Sequence, residues 1–118
     1  MFRLLQGDVG SGKTIVALLA ALNTVNSGFQ VAVMAPTEIL ARQHYNLAKN
    51  LFTHKINIEL LSSKSEPKIK KNIVTKLSEN KIDIIFGTHA IFQKKILFKN
   101  LGLIIIDEQH KFGVNQRK

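Results

Sequence analysis

Residues 7 to 14 read G-D-V-G-S-G-K-T, a G-x-x-x-x-G-K-[ST] pattern, and each position in it has a chemical use. Gly7, Gly10 and Gly12 let the backbone curl so that successive N–H groups converge on an anion. Asp8, Val9 and Ser11 complete that loop. A helix opening at Lys13 adds its N-terminal partial positive charge. The Lys13 ammonium reaches β- and γ-phosphates as a point charge, and the Thr14 hydroxyl is placed for Mg²⁺. A chance match in a chain of this length is well under ~1% at average residue usage. The chemistry is that of a nucleoside triphosphate, ATP, with its Mg²⁺.

Such a loop needs an acidic partner. Leu103 to His110 reads L-I-I-I-D-E-Q-H, an apolar run with two carboxylates at its end. Ligands of open α/β sheets bind at that edge. Asp107 is the candidate to hold Mg²⁺ and Glu108 to polarise the attacking water. His110 is near enough to report nucleotide state to the rest of the chain. Alone, an Asp-Glu pair after an apolar run is more often a solvated loop; with the phosphate loop upstream, the two motifs explain each other.

These residues need a parallel sheet to bring them together. Apolar runs at Phe2 to Gln6, Gln30 to Ala35, Ile56 to Leu61, Ile82 to Phe86 and Leu101 to Ile106 read as strands. Between them lie helical patterns. Lys13 to Asn26 carries Ile15, Leu18, Leu19, Leu22 and Val25, with Gly28 as its stop. A second helix follows the cap residue Thr37 and runs to about Phe52, with Leu40, Leu47 and Leu51 as its stripe and Ala41, Ala48 and Phe52 beside it. A third, capped by Ser65, runs from Glu66 to about Glu79 and buries Ile69, Ile73, Val74 and Leu77. The expected class is α/β, a parallel sheet with right-handed crossovers and helices on both faces.

The chain has 118 residues, one domain at most. It has no cysteine, which excludes disulfides and thiolate metal sites. No apolar run approaches the ~20 residues of a membrane helix, and the start is not a signal peptide. A cytoplasmic protein without a membrane partner is the expectation. Seventeen Lys plus Arg face eight Asp plus Glu, a net charge of +9. That surface attracts polyanions, nucleic acid first. Fourteen of the cations are Lys, which an AT-rich genome explains equally well. Lys64, Lys68, Lys70 and Lys71 form one cluster and Lys94, Lys95 and Lys99 another; both read first as solvated faces with long-range steering. His44, His54 and His89 lack metal-ligand spacing and read as surface or DNA-proximal. Phe92 and Phe98 read as core or as docking surface.

The strings L-L-Q-G-D-V-G-S-G-K-T, A-P-T-E-I-L-A-R-Q-H, G-T-H-A-I-F-Q and D-E-Q-H-K-F-G-V-N-Q-R resemble the superfamily-two helicases. Within them they resemble the RecG family of bacterial ATP-dependent DNA helicases, from Leu4 to Arg117. Transcription-repair coupling translocases usually carry an aromatic in the loop and a second Glu after D-E; Ser11 and Gln109-His110 point away from them. Lys111 stands where the family usually has Arg, keeping the charge and losing the planar fork.

The resemblance implies an ATP-binding, RecA-like motor domain of P-loop type. It implies action on branched or forked DNA in recombination, repair and replication-fork processing. It places backbone-gripping motifs at Pro36, Thr37 and Arg42 and at Gly87, Thr88 and His89. From the residues alone, these are a helix cap and a turn. In the family a wedge domain precedes and a second motor domain, with its arginine finger, follows. The chain is therefore expected to be a partial first motor domain, with the other half of a split chain as a partner, and not to turn over ATP alone. A non-catalytic ATP- or DNA-binding remnant, a coupling translocase motor and an RNA helicase are the alternatives.

Overall fold

The computed structural model describes the backbone at residues 3–7, 11–52, 56–93 and 96–107, and within these ranges the side chains from residue 16 onward. Five strands and four helices alternate: β1 (Arg3–Gly7), α1 (Ser11–Asn26), β2 (Gln30–Ala35), α2 (Glu38–Leu51), β3 (Ile58–Leu61), α3 (Pro67–Ser78), β4 (Ile84–Thr88), α4 (His89–Phe92) and β5 (Leu101–Asp107). They form one five-stranded sheet in the order β1-β5-β2-β4-β3. Every pairing is parallel.

That order explains the two-sided core. From β1 to β2 to β3 the chain advances in one direction along the sheet; from β3 to β4 to β5 it returns. Right-handed crossovers then send the helices to opposite faces. On one face Leu18 and Ala21 of α1 and Ala48 and Phe52 of the α2 end pack on Val31, Val33, Ile84, Phe86, Leu103 and Ile105. On the other, Ile73 and Leu77 of α3 and Ile91 of α4 pack on Ala32, Leu61, Ile82 and Ile85. Neighbouring residues of one strand, such as Ile84 and Ile85, serve opposite faces, as the period of two requires. With both faces covered, β2, β4 and β5 must be apolar almost throughout. Burying a side chain such as Leu77 fully, at 0% exposure, contributes about 2 kcal/mol.

The helical stripes differ from the sequence reading. In α1, Leu18 and Ala21 are buried while Leu19 is exposed, so the stripe is centred one residue away. In α2 the buried positions are Ala41, His44 and Ala48, and Leu51 is exposed. Small residues at 41 and 48 let the helix lie close to the sheet, and the leucines flank the contact. In α3, Ile69 in the first turn is exposed; Ile73 and Leu77 are buried in the core and Val74 packs against it half-buried. Its cap position is Glu66, without a side-chain bond, and Pro67 opens the helix; Ser65 is not the cap. Helix α1 opens at Ser11, two residues before Lys13. The strands at 56 and 82 start at Ile58 and Ile84. Phe92 and Phe98 pack against the second core.

Gly28 ends α1 with φ of 94°, its N–H donating to the Val25 carbonyl at 2.9 Å. This is the left-handed stop expected of glycine there. At the N-terminal edge of the sheet Gln30 is 1% exposed, and all its polar atoms are used. Nε2 donates to the carbonyls of Leu77 (3.0 Å) and Ile82 (2.8 Å), and Oε1 accepts from the Asn100 N–H (2.9 Å). It ties the end of α3 and the approaches to β4 and β5 into one layer, satisfying groups whose burial is otherwise costly.

Candidate nucleotide and nucleic-acid site

The site lies along the C-terminal edge of the sheet. β1 delivers Gly7, the first residue of the phosphate loop, and β5 delivers Asp107; the two are paired in the β1–β5 ladder. The backbone of Ser11, Gly12, Lys13 and Thr14 forms the first turn of the 16-residue helix α1. Its first N–H groups have no carbonyl partner within the helix and begin four residues after Gly7, as anion binding at a helix start requires. Asp8, Val9, Gly10, Glu108 and His110 lie outside the described residues, as do the side chains of Ser11, Lys13 and Thr14.

Asp107 is 1% exposed. A buried carboxylate is tolerated only with partners. One is His44 of α2, whose Nε2 lies 2.8 Å from Asp107 Oδ2. An ionised carboxylate only accepts, so this imidazole nitrogen carries the hydrogen. His44 is itself 8% exposed, which corrects its reading as a surface or DNA-proximal residue. The signal for it was present: His44 falls on the same helical face as Ala41 and Ala48, the two residues that pack deepest in α2.

The two further motifs occupy neighbouring strand ends, since Met34 pairs with Gly87 and Ala35 with Thr88. Past Ala35, Pro36 and Thr37 are exposed, and Thr37 caps α2 by accepting from the Leu40 N–H at 3.2 Å. Arg42 is exposed one turn on. Past Gly87, Thr88 is buried and accepts from the Ile91 N–H at 3.4 Å. This starts α4, a four-residue helix too short to show in the sequence pattern. His89 is half-buried, and its Nε2 is buried without a hydrogen-bond partner among the described residues. The cap reading of Thr37 thus holds structurally, Thr88 caps α4 where a turn was expected, and both residues sit on the edge that carries Gly7 and Asp107.

Sequence reasoning placed Glu38 in the first turn of α2 but missed what it holds. Its carboxylate accepts from Ser62 Oγ (2.7 Å), the Ser63 N–H (3.0 Å) and Ser63 Oγ (2.9 Å). The turn after β3 is thereby clasped to the first turn of α2. Among the described residues no group of three or more His, Asp and Glu side chains forms a metal cluster. No helix among them is long and apolar enough to cross a membrane.

This arrangement has close counterparts. The chain is 56% identical over its full length to the ATP-dependent DNA helicase RecG of Aquifex aeolicus. It is 53% identical over its full length to that of Thermotoga maritima. It spans 15% of each of these relatives. A solved structure of RecG bound to a three-way DNA junction superposes on 97% of the chain with a TM-score of 0.81 at 50% identity, and the chain covers 16% of that protein. The sheet with its P-loop start is therefore a RecA-like P-loop fold. The model of the DEAD/DEAH box helicase family matches residues 3–118, from the start of β1 through the Asp-Glu-Gln-His block, and the chain belongs to that family.

Proposed function

We propose that the chain is the ATP- and Mg²⁺-binding part of an ATP-dependent DNA helicase of RecG type, acting on branched DNA. The observation that carries this reading is the β1–β5 register, which sets Gly7 and Asp107 side by side where α1 opens. Five separate strands could have ended anywhere; the phosphate loop and the carboxylate end on adjacent ones, at the edge where such folds bind ligands.

The residues suit a magnesium–nucleotide complex. Mg²⁺ takes oxygen ligands, commonly one or two from the protein with the rest from phosphates and water. Asp107 offers a buried carboxylate and Thr14 a hydroxyl on the first turn of α1. When bound, the ion neutralises charge developing on the phosphate oxygens. The loop N–H groups and Lys13 hold the phosphates in place. Glu108 orients the attacking water by accepting its hydrogen bond. Thr37 and Thr88 present the DNA side on the adjoining strand ends β2 and β4. With Arg42 and His89 they would contact the sugar-phosphate backbone, which fixes position and carries no base sequence.

The test is titration of a fluorescent ATP analogue, with Mg²⁺, against the wild-type chain and Lys13→Ala. Binding by wild type and a loss of tenfold or more in Lys13→Ala supports the reading. Equal binding by both ends it.

A further inference from the structure

The His44–Asp107 bond joins α2 to the carboxylate assigned to the metal, and nothing in the phosphate-loop chemistry calls for an imidazole there. We propose that His44 is a positioning residue, which sets the orientation of the Asp107 carboxylate and through it the affinity for metal-bound nucleotide. The inference rests on the nucleotide reading above.

Packing alone does not account for the residue. His44 lies at 8% exposure on the face of α2 that carries Ala41 and Ala48, against an apolar sheet. An aliphatic side chain would fill that volume without desolvating a ring nitrogen. Buried polar pairs seldom add stability over apolar residues of the same size, because the desolvation of both partners offsets their attraction. What a pair offers instead is direction. Asp107 ends β5, where the orientation of its carboxylate decides which oxygen it can offer to an ion. A 2.8 Å bond to Oδ2 from a ring held in a packed helix fixes the carboxylate plane. Metal-ligating carboxylates are commonly held by such outer hydrogen bonds, and removing the outer partner costs ~10- to 100-fold in metal affinity.

The helix that supplies His44 is also the one capped by Thr37, about two turns away along a continuous helix. A shift of α2 at its Thr37 end must therefore be felt at Asp107, unless the hydrogen bond gives way.

The experiment compares wild type with His44→Leu, which keeps the bulk and removes the donor, and His44→Gln, which keeps an N–H donor. Affinity for the fluorescent ATP analogue is measured with and without Mg²⁺, and the ratio is the readout. A structural defect weakens both affinities together and leaves the ratio unchanged. A positioning role leaves the metal-free affinity near wild type and lowers the ratio by about tenfold in His44→Leu. In His44→Gln most of the ratio returns. An unchanged ratio in folded His44→Leu overturns the inference, and so does a ratio in His44→Gln as low as in His44→Leu. Should His44→Leu fail to fold, His44→Met takes its place: a ratio lowered in His44→Met and kept in His44→Gln supports the inference, and any other combination overturns it. Loss of all Lys13 dependence fails the nucleotide reading and takes this inference with it. Lys13 dependence without His44 dependence fails this inference alone.

Discussion

Glu38 holds Ser63 twice, accepting one hydrogen bond from its backbone N–H at 3.0 Å and another from its hydroxyl at 2.9 Å. With the Ser62 hydroxyl at 2.7 Å, the carboxylate joins the first turn of α2 to the turn that follows β3. Partial burial pushes this carboxyl up. The Ser63 N–H, the two serine hydroxyls and the nearby Lys64 charge outweigh it, and the net effect holds the group below its ordinary value.

A pH dependence follows. A group lowered in the folded state stabilises above its unfolded value, and that contribution fades as pH falls through the folded value. Glu38→Gln is expected to lose about 1 kcal/mol at pH 7, a figure kept small because the group is only partly buried. The difference from wild type should shrink through the acid range. Urea unfolding of both proteins at neutral and acid pH checks it; a loss that does not vary with pH contradicts the assignment to the ionised carboxylate.

Thr37 combines a cap with a proposed DNA contact, and one substitution separates them. Aspartate caps helices as well as threonine does, and its charge suits a helix N-terminus. Thr37→Asp should therefore unfold within about 0.5 kcal/mol of wild type. It should also bind forked DNA several-fold more weakly, because a carboxylate repels the phosphate. Thermal unfolding and fluorescence anisotropy at low salt report the two effects. DNA binding equal to wild type removes Thr37 from the interface.

Gly87 is fixed by close approach. A Cβ built there meets Phe92 Cε2 at 3.0 Å and the Leu61 carbonyl oxygen at 3.2 Å. The phenyl ring can turn aside, but the carbonyl belongs to β3, the strand beside β4. Gly87→Ala is expected to cost about 1–3 kcal/mol, as overpacking usually does. Phe92→Leu in the same chain should recover only part of it. Denaturant unfolding of wild type and both variants decides; full recovery would mean that the strand contact does not matter.

For Asp107, asparagine keeps the shape and an oxygen that accepts from His44 while removing the charge. Asp107→Asn should stay folded and bind the ATP analogue without metal much as wild type does. The tightening given by Mg²⁺ should fall at least tenfold. Calorimetric titration with and without the ion measures it, and retained tightening would exclude Asp107 as a metal-holding group.

The sheet was largely legible in the sequence because its central strands are apolar on both faces. Runs such as Val31 to Ala35 or Leu103 to Ile106 have few other solutions. The helices were legible in place but not in rotation. Counting leucines centred α2 on Leu40, Leu47 and Leu51, whereas close packing selected Ala41 and Ala48 and carried His44 inward with them. The His44–Asp107 and Glu38–Ser63 bonds join residues far apart in sequence, and no local pattern encodes such pairs. The strand and helix that flank residues 8–10 and the Asp107 strand end were readable because the chemistry of such motifs dictates spacing and flanking structure. Helix α4 was not, since four residues carry no period.

The position of β5 has a consequence for how the protein comes into being. Among the described residues β1 lies at the edge of the sheet and pairs with β5, with Arg3 opposite Leu103. β1 therefore pairs with a strand synthesised later than β2, β3 and β4. Pairing across nearly the whole chain is entropically slow. Until β5 inserts between β1 and β2, Gly7 has no Asp107 beside it. On the proposed function, a chain that ends before Leu101 should fail to retain the ATP analogue, and one extended past Asp107 should begin to do so, with β5 acting as the latch that sets the carboxylate beside Gly7.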